Sequence, residues 1–298
     1  MDTFNIIMKN KTIRLSDITK SNDSKEKILI YDHLESAINQ AFAEINLPVR
    51  ATEQIGTGFA DGYTYLEYFK KGLLEAHEES SLVACFSRNG DLLSQWRGYA
   101  NDGCGFAIGF DRLLLEKYLK RDDRFRVEPI EYNAAKQLRM IDSDVKEAFL
   151  DCVEWNGLDL DFSKHIEIFN DEIDEIAYDL AERLNFSSCF MKKYTFREED
   201  EVRIVFSSRI GIHTDQAEIE KKIAGTKKLC LRDLDYLVRR NQFVLYADMS
   251  FEKALKDGLI KEVIIGPKVE MTVEEVSNYL RIRGYEEIDV RKSGISYR

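Results

Sequence analysis

VACFSRNGDLLSQWRGYANDGCGFAIGFD, running from Val83 to Asp111, decides how the chain is read. Two apolar runs frame it, Leu82 to Phe86 and Gly105 to Phe110, each of a length that suits a buried strand bounded by turn residues. The polar middle predicts a short helix carrying Trp96 and Tyr99 at i, i+3, on one side. Five of the chain's sixteen glycines fall here, and glycine lets backbone approach a bound molecule closely. A strand ending in Ser87, a loop, an aromatic helix and a glycine-rich strand describe the wall of a pocket. The same spacing equally describes a buried β-hairpin with an aromatic plug.

Working outward, Thr3 to Lys9 predicts a helix and Thr12 to Leu15 a strand. Ile28, Tyr31, Leu34, Ile38, Ala41 and Ile45 recur at helical spacing over Lys25 to Leu47, and a loop to Gly62 precedes a second helix, Tyr63 to His77. Downstream come a helix at Asp111 to Lys120 and a strand at Phe125 to Tyr132. An apolar stripe of Trp155, Phe162, Ile166, Phe169, Ile173, Ile176 and Leu180 then predicts a helical insertion over about 134–190 that covers one side of a sheet. The carboxylates of that region, Asp159 to Glu175, have the spacing of a solvated helix face rather than of a metal site. Lys221 to Arg240 holds seven Lys and Arg against two Asp. It reads as a helix with a solvated basic side, or as a landing strip for a phosphate backbone in which Lys227, Lys228, Arg239 and Arg240 make the contacts. Strands at Phe243 to Tyr246, Ile260 to Ile265 and Ile288 to Lys292, and helices at Phe251 to Asp257 and Val273 to Arg283, complete an α+β chain. No boundary calls for a second domain within residues 1–298.

Composition narrows the classes. The 298 residues are 44% hydrophobic and 33% charged, the balance of a chain that folds around a core. The net charge of −11 disfavours general binding to nucleic acid while leaving room for a local basic face. Five cysteines without a CxxC pair indicate neither a disulfide framework nor a zinc site. With no apolar run of membrane-spanning length and no signal peptide, the expected location is the cytoplasm, away from membranes.

A second segment carries chemistry. In FREEDEVRIVF, Phe196 to Phe206, the end alternates as a strand, with Glu201, Arg203 and Val205 on one side and Val202, Ile204 and Phe206 on the other. On a continuous strand Glu199 and Glu201 share a face, which Arg203 extends. Two such carboxylates suit stabilisation of a developing positive charge, and equally suit a salt-bridged edge.

These residues resemble a widespread bacterial family of unknown function. Its members read roughly cFS, then W and Ya, then a glycine-rich strand ending in Fd, with a later E.E.R, a Gp turn after an apolar strand, and a closing S.i.yR. Here the motifs stand as CFSRNGDLLSQWRGYANDGCGFAIGFD, FREEDEVR, LIKEVIIGPK and SGISYR, and Asn22 to Glu26 matches an N-terminal element. The motif order is similar to that of ADP-ribosyltransferases. The resemblance implies a split mixed β-sheet of that type with a helical insertion, and NAD as substrate without a metal. Ser87 falls on the serine position and Tyr99 on the stacking tyrosine; Glu201, or else Glu199, falls on the catalytic glutamate. The family pattern places an Arg or His ahead of DTFNIIMKN that has no counterpart here, so Arg14, Arg88 or Arg97 is expected in the basic role, unless the start is trimmed.

The activity so implied is mono-ADP-ribosylation. Loss of nicotinamide builds oxocarbenium-like charge on the ribose, as glycosidic cleavage does, and a nearby carboxylate stabilises it. Glu201 takes that role with Glu199 beside it. Tyr99 stacks on nicotinamide, Trp96 and Arg97 line the pocket, and backbone at Gly103 and Gly105 holds the amide. Arg203, Lys227, Lys228, Arg239 and Arg240 face the acceptor, which is RNA, DNA or protein. A toxin or phage-defence role with an antitoxin or defence-system partner follows from such chemistry. The alternatives are a non-catalytic nucleotide sensor or interaction protein on a degraded transferase-like fold and, more remotely, a hydrolase or nuclease built on Glu199 and Glu201 with Asp91 or Asp102, disfavoured because phosphodiester chemistry usually wants a metal cluster and no third carboxylate aligns.

Overall fold

The computed structural model describes residues 2–20, 29–55, 62–76, 81–120, 122, 124–207 and 229–297. Its strands are β1 (Thr12–Asp17), β2 (Ser81–Ser87), β3 (Phe106–Phe110), β4 (Phe125–Pro129), β5 (Glu201–Ser207), β6 (Cys230–Arg239), β7 (Gln242–Ser250), β8 (Ile260–Ile265) and β9 (Asp289–Lys292). The helices are α1 (Asp2–Asn10), α2 (Leu29–Glu44), α3 (Tyr65–Ala76), α4 (Leu93–Tyr99), α5 (Arg112–Leu119), α6 (Ala134–Trp155), α7 (Ile166–Asp171), α8 (Ile173–Ser188) and α9 (Val273–Ile282). The fold is α+β. One sheet is antiparallel with order β4-β5-β2-β1-β7-β6; a second has order β3-β8-β9, its β8 and β9 parallel around α9. A Thr272–Glu275 capping box starts α9, and Gly284, at φ 79°, takes the left-handed conformation that ends it.

Period-2 alternation explains how the sheets meet. Leu82 and Ala84 of β2 and Ile204 and Phe206 of β5 turn one way, into a core shared with Val263 and Ile265 of β8 and with Met8, Leu115 and Leu280 from three helices. A separate helical core joins Leu34 and Ile38 of α2, Tyr65 and Phe69 of α3, Val145 and Phe149 of α6, and Ile176 and Leu180 of α8. The Phe149 ring sits at its centre, edge-on to Phe42 and Phe169 at 5.2 Å from each.

Four expectations change. The predicted insertion does not simply cover a sheet: α6 to α8 join α2 and α3, while the end of α8 and the turn after it, with Phe186, Cys189 and Phe190, and Met140 of α6 beside them, pack on the large sheet at Val83 and Val205. Trp155 is not in the stripe. It is 62% exposed, because the inward positions of α6 run Ile141, Val145, Phe149, Cys152 and Val153 and Trp155 falls out of that phase. The hairpin reading of the opening stretch is excluded, since β2 lies inside the large sheet and β3 at one edge of the small one. The basic stretch, within the described residues, is strand β6 and not a helix; Lys221, Lys222, Lys227 and Lys228 lie outside them, as does Asn22 to Glu26.

Candidate functional site

The approach to β5 is bent. Tyr194–Glu199 forms a 3-10 turn, Asp200 caps it at φ 42°, and the strand begins only at Glu201. Glu199 and Glu201 therefore do not share a face by strand alternation, which corrects the sequence reading. Arg88, just past β2, fixes the corner: its amide donates to the Asp200 carbonyl at 2.9 Å and its Nε to Oδ1 at 2.8 Å. The two glutamates meet nonetheless, through Lys192. Its Nζ lies 2.6 Å from Glu199 Oε2 and 3.2 Å from Glu201 Oε2.

Arg203 closes the network. Nε donates to Glu201 Oε1 at 2.6 Å, one terminal nitrogen to Oε2 at 3.2 Å, and the other to the Cys189 carbonyl at 2.7 Å. Glu201, Arg203 and Lys192 are all buried. Two cations thus balance two anions where little water reaches, the condition under which buried charge is tolerated. Burial by itself raises the Glu201 carboxyl; the charges of Arg203 and Lys192 and a bond from the Cys85 thiol outweigh it, and hold the group below the ordinary carboxylate range.

The β2–β5 ladder aligns Ser87 with Glu201 and Cys85 with Arg203, so these side chains rise from one face of the sheet. Ser16 of β1 pairs with Val83, and Arg14, two residues back, shares that face. It lies 3.8 Å over the Tyr246 ring and binds Asp248 through two nitrogens at 2.8 and 2.9 Å. From α4, Tyr99 is 66% exposed and its hydroxyl points at Glu199 Oε1 at 3.4 Å. Tyr132 accepts from the Glu201 amide at 3.1 Å. Burial, then the Glu199 charge, raises the Tyr99 phenol. Cys85 is exposed on the same floor.

The sequence-predicted residues therefore divide. Tyr99, Glu199, Glu201, Arg203 and Ser87 converge, although the Ser87 hydroxyl is held by Asn89 at 3.0 Å. Trp96, unlike Tyr99, is buried: Nε1 donates to Asp91 Oδ1 at 2.7 Å. The Gly103 amide donates to the Trp96 carbonyl, while the carbonyls of Gly103 and Gly105 accept from Lys268 and Gly266, all at 3.0 Å. Those glycines pack against the Gly266 turn, where a Cβ on Gly266 would come within 2.5 Å of both carbonyls. Arg97 is exposed on α4. Arg239 and Arg240 sit beyond β2, β1 and β7, four strand spacings from β5, about 19 Å.

Sequence reasoning missed Lys192 and Tyr132, which recur in no period; a lysine directly after the apolar run Cys189 to Met191 was the available signal. It also missed why SGISYR matters. Asp91 accepts from Trp96, from the Ser293 hydroxyl and from the Gly294 amide, the last at 2.8 Å. Tyr297 donates to Asp102 at 2.6 Å. The C-terminal motif is a clamp on the loop bearing α4, and through it on Tyr99. Among the described residues no group of three or more His, Cys, Asp or Glu is placed to hold a metal ion, and no helix is long and apolar enough to cross a membrane.

Residues 95–204 match the model of a family described as a protein of unknown function, DUF2971. The match spans Tyr99, Tyr132, Lys192, Glu199, Glu201 and Arg203, the whole charged network. No curated protein and no solved structure matches the chain.

Proposed function

We propose that the chain transfers ADP-ribose from NAD to a macromolecular acceptor at the place where Tyr99 of α4 meets Glu199, beside the ends of β2 and β5. The observation that carries this is the meeting of Tyr99 and the Glu199–Glu201 pair, separated by about a hundred residues in sequence and joined at 3.4 Å. An exposed phenol ring offers a stacking surface for nicotinamide, and Glu199, less enclosed than Glu201, faces it. In the step proposed, the bond between ribose C1′ and the nicotinamide nitrogen breaks, its electron pair leaving with nicotinamide. The carboxylate of Glu199 stabilises the cationic sugar, and the acceptor nucleophile bonds to C1′ as its proton passes to solvent. Glu201, held by Arg203, positions Lys192 and through it Glu199. Arg14 supplies the basic residue of the first strand.

Incubation with NAD labelled in the adenylate and with cell lysate tests this. Wild type is expected to transfer label and Glu199→Gln to lose at least about a hundredfold in rate, the usual scale for one charge-stabilising group. Equal labelling by the two proteins, or none by either, overturns the assignment.

A second reading has its own support. Both Glu201 oxygens are engaged by Arg203 and Lys192, as in a finished structural network. A non-catalytic nucleotide-sensing protein follows from that. Thermal stabilisation by NAD or ADP-ribose with no nicotinamide released favours it over the transferase.

A further inference from the structure

The β6–β7 hairpin ends in a tip whose apolar side chains stay exposed among the described residues. Val238 pairs with Phe243 and Tyr236 with Leu245, so Tyr236, Val238 and Phe243 share one face. That face continues the line of core residues Leu245, Ala247 and Met249 past the edge of the body. There Tyr236, Val238 and Phe243 are 61%, 69% and 71% exposed. The two rings stand 6.2 Å apart and nearly perpendicular. Arg239 closes β6 on the face opposite the rings, paired with Gln242, and Arg240 begins the turn; both are exposed. Arg240 and Asn241 have φ of 50° and 62°, the two-residue turn that holds a hairpin at full right-handed twist. From Tyr236 to Tyr246 the sequence has two arginines and no acid, in a chain of net charge −11.

We infer that this tip binds single-stranded nucleic acid, bases stacking on Tyr236 and Phe243 and phosphates meeting Arg239 and Arg240. Exposed aromatic rings with arginines at the rim and turn of the same β-ribbon are what an unpaired strand passing over its tip recognises: every base has a face to stack, and every linkage has a charge to neutralise. A duplex hides its base faces and gains only the phosphate contacts. As a statement about binding the inference is independent; as the acceptor dock of a transferase it rests on the preceding reading.

The experiment is fluorescence anisotropy of the full chain with labelled oligouridine of about twenty nucleotides, a matching duplex, and a salt series. The single strand is expected to bind more tightly than the duplex. The pair Tyr236→Ser and Phe243→Ser weakens it about tenfold or more with the salt slope unchanged. Arg239→Gln with Arg240→Gln lowers the slope by about 1.4, two phosphates at about 0.7 each. No binding at low salt, equal affinity in the ring variants, or a dimer in sedimentation that Phe243→Ser abolishes each overturns the proposal; the last assigns the tip to a second copy of the chain. Nicotinamide release from NAD is measured on the same variants. Retained release with lost oligonucleotide binding supports the hairpin as a separate dock, whereas failure of the transferase reading removes release and leaves binding in place.

Discussion

Toward the β4 edge of the large sheet charged side chains are enclosed; at the β6 edge apolar ones are exposed. Glu201, Arg203 and Lys192 are shut in beside Cys189, while Tyr236, Val238 and Phe243 stand in water. Both invert the usual partition, in which ionised groups stay wet and rings are covered. The inversions differ in what holds them. The buried network is complete, each charge meeting its opposite, so its cost is already offset within the fold. Among the described residues the rings of the hairpin tip stay exposed, and the proposed partner is what would relieve that cost. The first region is therefore where stability is tested, and the second where the proposed association is.

The sharpest way to break the comparison is Lys192→Met. It leaves Glu199 and Glu201 facing each other with one cation instead of two. The expected loss is about 3–5 kcal/mol in urea unfolding, the range for an uncompensated buried charge. Asp144 sharpens the point with the opposite sign. Its Oδ2 is buried without a hydrogen-bond partner, and burial, opposed by Ser187 and aided by the Glu147 charge, pushes its carboxyl up to about 7. A carboxyl raised on folding favours the folded state only while protonated, so its contribution is full below about pH 4 and fades as pH rises toward 7. Asp144→Asn is expected to stabilise the chain at pH 8 by about 2 kcal/mol or more and to leave pH 4 nearly unchanged. Glu201 behaves the other way. Its lowered carboxyl adds stability above the ordinary carboxylate range that is lost as acid protonates it, so stability below about pH 4 falls more steeply in wild type than in Glu201→Gln.

Asp91 comes next. Asp91→Ala strips hydrogen bonds from the Trp96 indole, Ser293 and Gly294. About 2–3 kcal/mol is expected, since these bonds go to a charged acceptor. In a Trp155→Phe background, where Trp96 is the remaining indole, its emission is expected to shift to the red. An unshifted spectrum separates Asp91 from the placement of α4.

How far these regions were legible from sequence follows from their local physics. Alternation gave away β5 from Glu201 onward, and glycine punctuation gave away the ends of β3, β8 and α9. The meeting of Tyr99 with the acidic doublet was legible as motif order. Its geometry was not, because Asp200 at φ 42° breaks the strand that alternation assumed. Lys192 belongs to no repeat. The reading of β6 as a helix has a specific cause. Between Leu231 and Leu234 the ladder shifts by one residue, a bulge that leaves two β6 residues opposite one of β7. Leu231, Leu234 and Val238 then fall at the i, i+3, i+7 spacing of a helix although the chain is extended. The turn hid as well, with arginine in the first left-handed position where asparagine or glycine is the usual sign.

The smallest effect is the one that best tests the contrast. If the tip of β6–β7 is apolar for a partner and not for the fold, Phe243→Ser removes a ring that is already 71% exposed and packs chiefly on Tyr236. Its cost in thermal or urea unfolding is then expected within about 0.5 kcal/mol, the scale of a surface substitution. The same change at Phe206, buried against Phe125 at 4.8 Å, is expected to cost about 3 kcal/mol or more. A loss at Phe243 approaching that at Phe206 places the ring in the folding core, and the two edges of the sheet then differ in charge alone.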